Sequence, residues 1–177
     1  LLIMASRLDY PAYQPQQHSS VWQSLALVKD KHALGFSLAI ACYVATEVAI
    51  FVWLPTLLQS YDGNFTVLAA HAITVFFILR TAGRFLAEWL LLRFSWTALL
   101  AWFGSAIFIC FALSMLGGVD WALWLMPMSG LFMSMMYPTI NSKGISCFPR
   151  AQHGAVAGLL LAFTALAAAV GPLLMGI

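Results

Sequence analysis

The stretch Leu34–Gln59, LGFSLAIACYVATEVAIFVWLPTLLQ, is long and apolar enough to cross a bilayer, and it carries one carboxylate near its centre, Glu47. A spanning helix needs about 20 apolar residues to cross a hydrocarbon core of about 30 Å. A charge at mid-depth costs about 2.5–3.5 kcal/mol on insertion scales, so it faces a bundle interior or a water-filled cavity and marks a functional site. Glu47 therefore points to transport or proton movement.

The rest of the chain agrees with a membrane solvent. Of its 177 residues, 63% are hydrophobic and 8% charged, and the mean hydropathy is +0.92. A soluble domain carries about 25% charged residues. Further apolar runs at 66–89, 96–116, 121–142 and 154–177 follow the first, which predicts an all-α membrane protein with five spans. Leu1–Met4 look like the end of a preceding helix, and residues 5–33, with Pro11, Pro15 and four glutamines, have the composition of a linker. Residues 1–33 and 34–177 are thus expected to be a linker segment and a transmembrane bundle. No basic region precedes an apolar core with a small-residue cleavage site, so no signal peptide is read. Val21, Trp22, Leu25 and Val28 recur at helical spacing beside Lys29 and Lys31, as in a helix lying in the headgroup region or one packed on protein.

All eight basic residues fall on alternate connections. Arg7, Lys29 and Lys31 precede the first span; Arg80, Arg84 and Arg93 end the second; Lys143 and Arg150 join the fourth to the fifth. The connections 61–65 and 117–120 carry no Lys or Arg and one Asp each. The positive-inside rule assigns the basic side to the cytoplasm, so the first span runs outward.

Polar residues inside the spans are candidates for chemistry. Tyr43 lies one turn before Glu47 and shares its face with Ile40 and Phe51. A phenol beside a carboxylate can hold a sugar hydroxyl or share a proton; the plainer alternative is a structural hydrogen bond from Glu47 to a neighbouring helix. His71 falls about 8 Å below the outer end of the second span. Arg80, nearer the cytoplasm, is expected to extend its stem to the interface. In GRFLAEWLLLR, Gly83 to Arg93, Glu88 can pair with Arg84 or Arg93, and the basic residues complement a helix C-terminus. Pro127 and Pro138 break the fourth span, and Tyr137 and Asn141 share a face near the cytoplasmic mouth. Gly154 and Gly158 stand in GxxxG spacing, continued by Ala162 and flanked by Ala165 and Ala169, as expected of a helix-packing seam.

Other classes lack support. Cys42, Cys110 and Cys147 have no CxxC spacing and read as packing residues. His18, His32, His71 and His153 are dispersed; neither a metal site, a cofactor site, a catalytic triad nor a nucleic-acid surface is read. The chain is therefore not expected to be an enzyme.

The series CYVATEVAIF (Cys42 to Phe51), GRFLAEWLLLRF (Gly83 to Phe94), FMSMMYPTI (Phe132 to Ile140) and VGPLLMG (Val170 to Gly176) resembles the C-terminal half of the fucose and hexose proton symporters of the major facilitator superfamily. The resemblance implies that the five spans are helices seven to eleven of a twelve-helix transporter of a bacterial inner membrane, with residues 5–33 as its central cytoplasmic loop. The last helix and an N-terminal six-helix bundle then lie outside the sequence. It further implies proton-coupled uptake of a monosaccharide such as fucose, glucose or galactose by alternating access. Glu47, Tyr43, Tyr137, Asn141 and His71 would meet the substrate, and Arg84, Glu88 and Arg93 would hold the inner gate. Asn141 and Lys143 fall where the fucose permease pattern is apolar. An exporter of an amphipathic compound, or a non-transporting truncated membrane protein, are the alternatives.

Overall fold

The computed structural model describes residues 26–59 and 61–175, and all regular structure among them is helical. The expectations on residues 1–25 lie outside the described residues. A 3₁₀ turn, Leu27–Lys29, leads into α1 (Lys31–Leu58), then α2 (Thr66–Ala70), α3 (Ala72–Leu91), α4 (Trp96–Met133), α5 (Met136–Ser146), a 3₁₀ turn Arg150–Gln152, and α6 (His153–Met175). Three helical stretches are long and apolar enough to cross a membrane: Lys31–Leu58, Trp96–Ser146 and Arg150–Leu174. Their outer faces carry exposed Phe, Leu, Ile and Trp, which is the surface of a protein solvated by lipid.

Local sequence sets the ends. Asp30 caps α1, its Oδ1 accepting from the amides of His32 at 2.8 Å and Ala33 at 3.1 Å. These two bonds, Ala33 first, hold the Asp30 carboxyl below its ordinary range. Ser95 caps α4 through the amide of Ala98. Between α4 and α5 the helix lapses at Ser134 and Met135, because Pro138 has no N–H to give the carbonyl of Ser134. It resumes with the amide of Thr139 on Met135.

α4 is not one straight rod. Gly118 adopts φ 70°, ψ −159°, a backbone region that in practice only glycine occupies. Phe103 and Phe132 meet edge to face with centroids 5.7 Å apart. Twenty-nine residues of straight helix would separate them by about 44 Å at 1.5 Å per residue. The limbs 96–117 and 119–133 therefore lie side by side, folded back at the connection that the apolar runs also left between them.

α1 packs most extensively on α6, and α3 on α4. Glycines permit the closest approaches. A Cβ on Gly130 would come 2.7 Å from the Phe76 carbonyl, one on Gly171 2.8 Å from Ala45, and one on Gly83 would overlap the Leu131 carbonyl. Ile40, Val44, Ile50, Leu54, Phe76, Leu123, Val156 and Leu160 fill the main core between these helices.

The second expected span, 66–89, departs from the prediction. It is divided at His71, and its longer piece carries Arg80, Arg84 and Glu88, so it is not among the three stretches that qualify by length and composition. Gly154 and Gly158 also sit differently from the expected seam: both are exposed, and α6 meets α1 through the opposite side, with Ala155, Val156, Leu159 and Leu160 buried.

Candidate functional site

Glu47 lies on the inward face of α1, and Arg80 comes to it from α3. Their side chains form an ion pair, the one such pair among the described residues, and retain 11% and 15% exposure. The antiparallel course of α1 and α3 brings them level, as it does Phe51 and Phe76, whose rings meet 5.5 Å apart. Arg80 thus turns inward instead of extending to the interface, because the alternative would leave Glu47 buried and unpaired, which is the costlier state.

Tyr43 completes a relay one turn away. Arg80 Nη2 donates to Tyr43 Oη at 3.4 Å, and Tyr43 donates to the carbonyl of Met133 at 3.0 Å, where α4 ends. The Tyr43 ring lies 6.4 Å from that of Tyr137 on α5. Three elements are therefore tied to one buried charge pair, and the carbonyl freed near the helix break is satisfied.

On the side of this relay that faces the α3–α4 connection a cavity of about 770 Å³ opens, within the range of small-molecule sites. Arg80, Arg84 and Glu88 line it from α3, and Tyr137, Thr139 and Lys143 from α5. Ser95 and Trp96 close its inner edge. The Lys143 ammonium stands 5.8 Å from the centroid of the Trp96 ring. A second cavity, about 880 Å³, lies between the C-terminal half of α1 and both limbs of α4, with Ile50, Trp53, Phe111, Val119 and Met126 making it largely apolar.

The structure brings Glu47, Tyr43 and Tyr137 together, and Tyr137, Arg84 and Glu88 share one cavity. Asn141 does not line it, and His71 stands apart, exposed at the break between α2 and α3 with its Nδ1 2.9 Å from the Val67 carbonyl. Glu88 pairs with neither arginine: Arg93 lies over the Trp89 ring at 4.7 Å, and Arg84 reaches the cavity wall. The residue that sequence reasoning missed is Arg80. Its depth was the signal: counted from the outer helix ends, Glu47 lies about 16 Å and Arg80 about 21 Å down, a gap that an arginine stem spans.

Among the described residues, no group of three or more His, Cys, Asp and Glu could hold a metal ion. No solved structure matches the chain. An L-fucose-proton symporter of Escherichia coli (strain K12) is 31% identical over 152 residues, covering 82% of this chain and 34% of the symporter. The chain thus spans about a third of the length of that relative. The profile of the Major Facilitator Superfamily matches residues 3–172. With apolar helices of membrane-spanning length, a buried charge pair and a cavity lined in part by charged residues beside it, the chain is a multi-pass membrane protein that belongs to the Major Facilitator Superfamily of transporters.

Proposed function

We propose that this chain is the C-terminal bundle of a proton-coupled monosaccharide symporter of a bacterial inner membrane, working by alternating access against an N-terminal six-helix bundle. The observation that carries the reading is the buried Glu47–Arg80 pair at the head of the inner cavity. Ionisable groups at that depth are expensive, and beside a cavity that also carries Arg84, Glu88 and Lys143 they serve a transport path. The likeness to the fucose-proton symporter supports a sugar and a proton as cargo.

Five passes follow in this reading: α1; α2 with α3; the two limbs of α4, the second continued by α5; and α6. Residues up to 33 form the cytoplasmic linker. Arg80, held by Glu47 behind it, meets the substrate and couples that carboxylate to it, Tyr43 and Tyr137 offer hydroxyls, and Asn141 lies toward the inner mouth. His71, outside both cavities, has the weakest claim to a substrate. Arg84, Glu88 and Arg93 belong to the segment that closes the cytoplasmic gate. The exposed stripe of Gly154 and Gly158 faces a helix of the complete transporter. The outer apolar cavity favours one second reading, an exporter of an amphipathic compound.

Glu47→Gln in the full-length protein tests the proposal by sugar uptake with and without an imposed pH gradient. We expect weakened sugar binding with a residual proton-coupled flux. Uptake equal to wild type in both conditions would reduce Glu47 to a structural role.

A further inference from the structure

The inner cavity holds more positive charge than its own carboxylates neutralise. Arg80, Arg84 and Lys143 line it, Glu88 is the one acid among the lining residues, and Glu47 behind the wall is engaged by Arg80. Three cations face two carboxylates, leaving one positive charge. Arg84 and Lys143 make no ion pair among the described residues, and Glu88 makes none with either. They stand on different walls, Arg84 on α3 and Lys143 on α5. Beside them the hydroxyls of Tyr137, Thr139 and Ser142 have no hydrogen-bond partner among the described residues. The result is a set of free donors around one uncompensated charge.

We propose that the cavity takes a monosaccharide bearing one carboxylate, the carboxylate held between Arg84 and Lys143 and the ring hydroxyls on Tyr137, Thr139 and Ser142. The proposal rests on the transporter reading above and specifies its substrate class. A neutral sugar leaves one positive charge without a counter-ion as the cavity closes, whereas a monoanion brings the lining to neutrality. A phosphate dianion overshoots by one charge and meets Glu88 on the same wall. The guanidinium of Arg84 supplies the fork geometry that a carboxylate accepts.

The test is uptake into proteoliposomes of the full-length protein, driven by an inward pH gradient, with labelled D-glucuronate, D-galactose and D-glucose 6-phosphate compared side by side. Glucuronate is expected to be the preferred substrate. Lys143→Leu should weaken its half-saturation on the order of tenfold to a hundredfold, the loss of one charge-assisted hydrogen bond, while galactose inhibition stays within about twofold. Lys143→Arg, which keeps the charge, should restore glucuronate uptake and guards against a Leu variant that fails to fold. Preference for galactose or for the phosphate overturns the carboxylate assignment and leaves sugar transport standing. Absence of gradient-driven uptake for all three, and for a wider panel of neutral and acidic sugars, overturns both the assignment and the transporter reading beneath it.

Discussion

Removing both members of the Glu47–Arg80 pair should cost less than the sum of removing each alone. At the effective dielectric of about 20 that suits such pairs, two unit charges 4 Å apart attract by about 4 kcal/mol, and the contact here is direct. Arg80→Met strands a carboxylate in the bundle, and Glu47→Gln strands a guanidinium; breaking a buried pair this way costs about 3–5 kcal/mol. The double variant Glu47→Gln, Arg80→Met leaves two neutral side chains and should cost about 2 kcal/mol less than the sum of the singles. The Tyr43 hydroxyl keeps its bond to Met133 throughout, so the cycle isolates the charge coupling. The assay is the thermal midpoint of the purified full-length protein in detergent, read together with the denaturant midpoint. Strictly additive single effects would refute the coupling, and a stable Arg80→Met variant would show that Glu47 does not depend on Arg80.

The close approach of α3 to the second limb of α4 predicts that Gly130→Ala lowers stability by about 1–3 kcal/mol, because the new methyl must displace the Phe76 backbone; an unchanged denaturation midpoint would count against it. Cysteines at Asp62 and Asp120 should react with an impermeant thiol reagent from outside, and cysteines at Arg93 and Lys143 should not; the reverse pattern would invert the topology. Gly158→Leu should lower the melting point of the complete transporter if a helix packs on the exposed stripe, and unchanged melting would mean that lipid covers it. The depressed Asp30 carboxyl fixes a sign: its cap supports α1 fully above the ordinary Asp range of about pH 4 and loses that support as pH falls through the lower folded value. Asp30→Asn should flatten that acid-side dependence in a pH series of melting points, and an identical slope would place the acid sensitivity elsewhere.

The charged centre of the molecule was half visible in the chain. Glu47 announced itself by depth, since nothing else in its run carries a charge at neutral pH, but Arg80 resembled the basic residues that mark a cytoplasmic end. Only the pairing of antiparallel helices shows that it turns inward, and pairing is a tertiary fact. The fold-back at Gly118 was readable because a glycine pair and Asp120 interrupt the apolar runs. The break at His71 was not, because Thr66–Ala70 and Ala72–Leu91 form one continuous apolar pattern. GxxxG spacing points to Gly154 and Gly158, yet the close approaches of one helix to another within the described residues use Gly83, Gly130 and Gly171, each without such spacing. Whether a glycine lies at a crossing depends on the face a neighbour presents, and a linear pattern does not encode that.

The reversal at Gly118 also constrains how the protein is made. On the proposed five-pass topology its two limbs, joined by so short a connection, enter the bilayer as one hairpin. On that topology the single acid of the connection, Asp120, is carried across with them, and apolar burial from both limbs offsets its transfer. A residue at 118 that resists φ near 70° would leave the nascent chain a straight rod from Trp96 onward and strand its second limb outside the membrane. The defect would be one of biosynthesis, visible as degradation before any loss of transport could be measured.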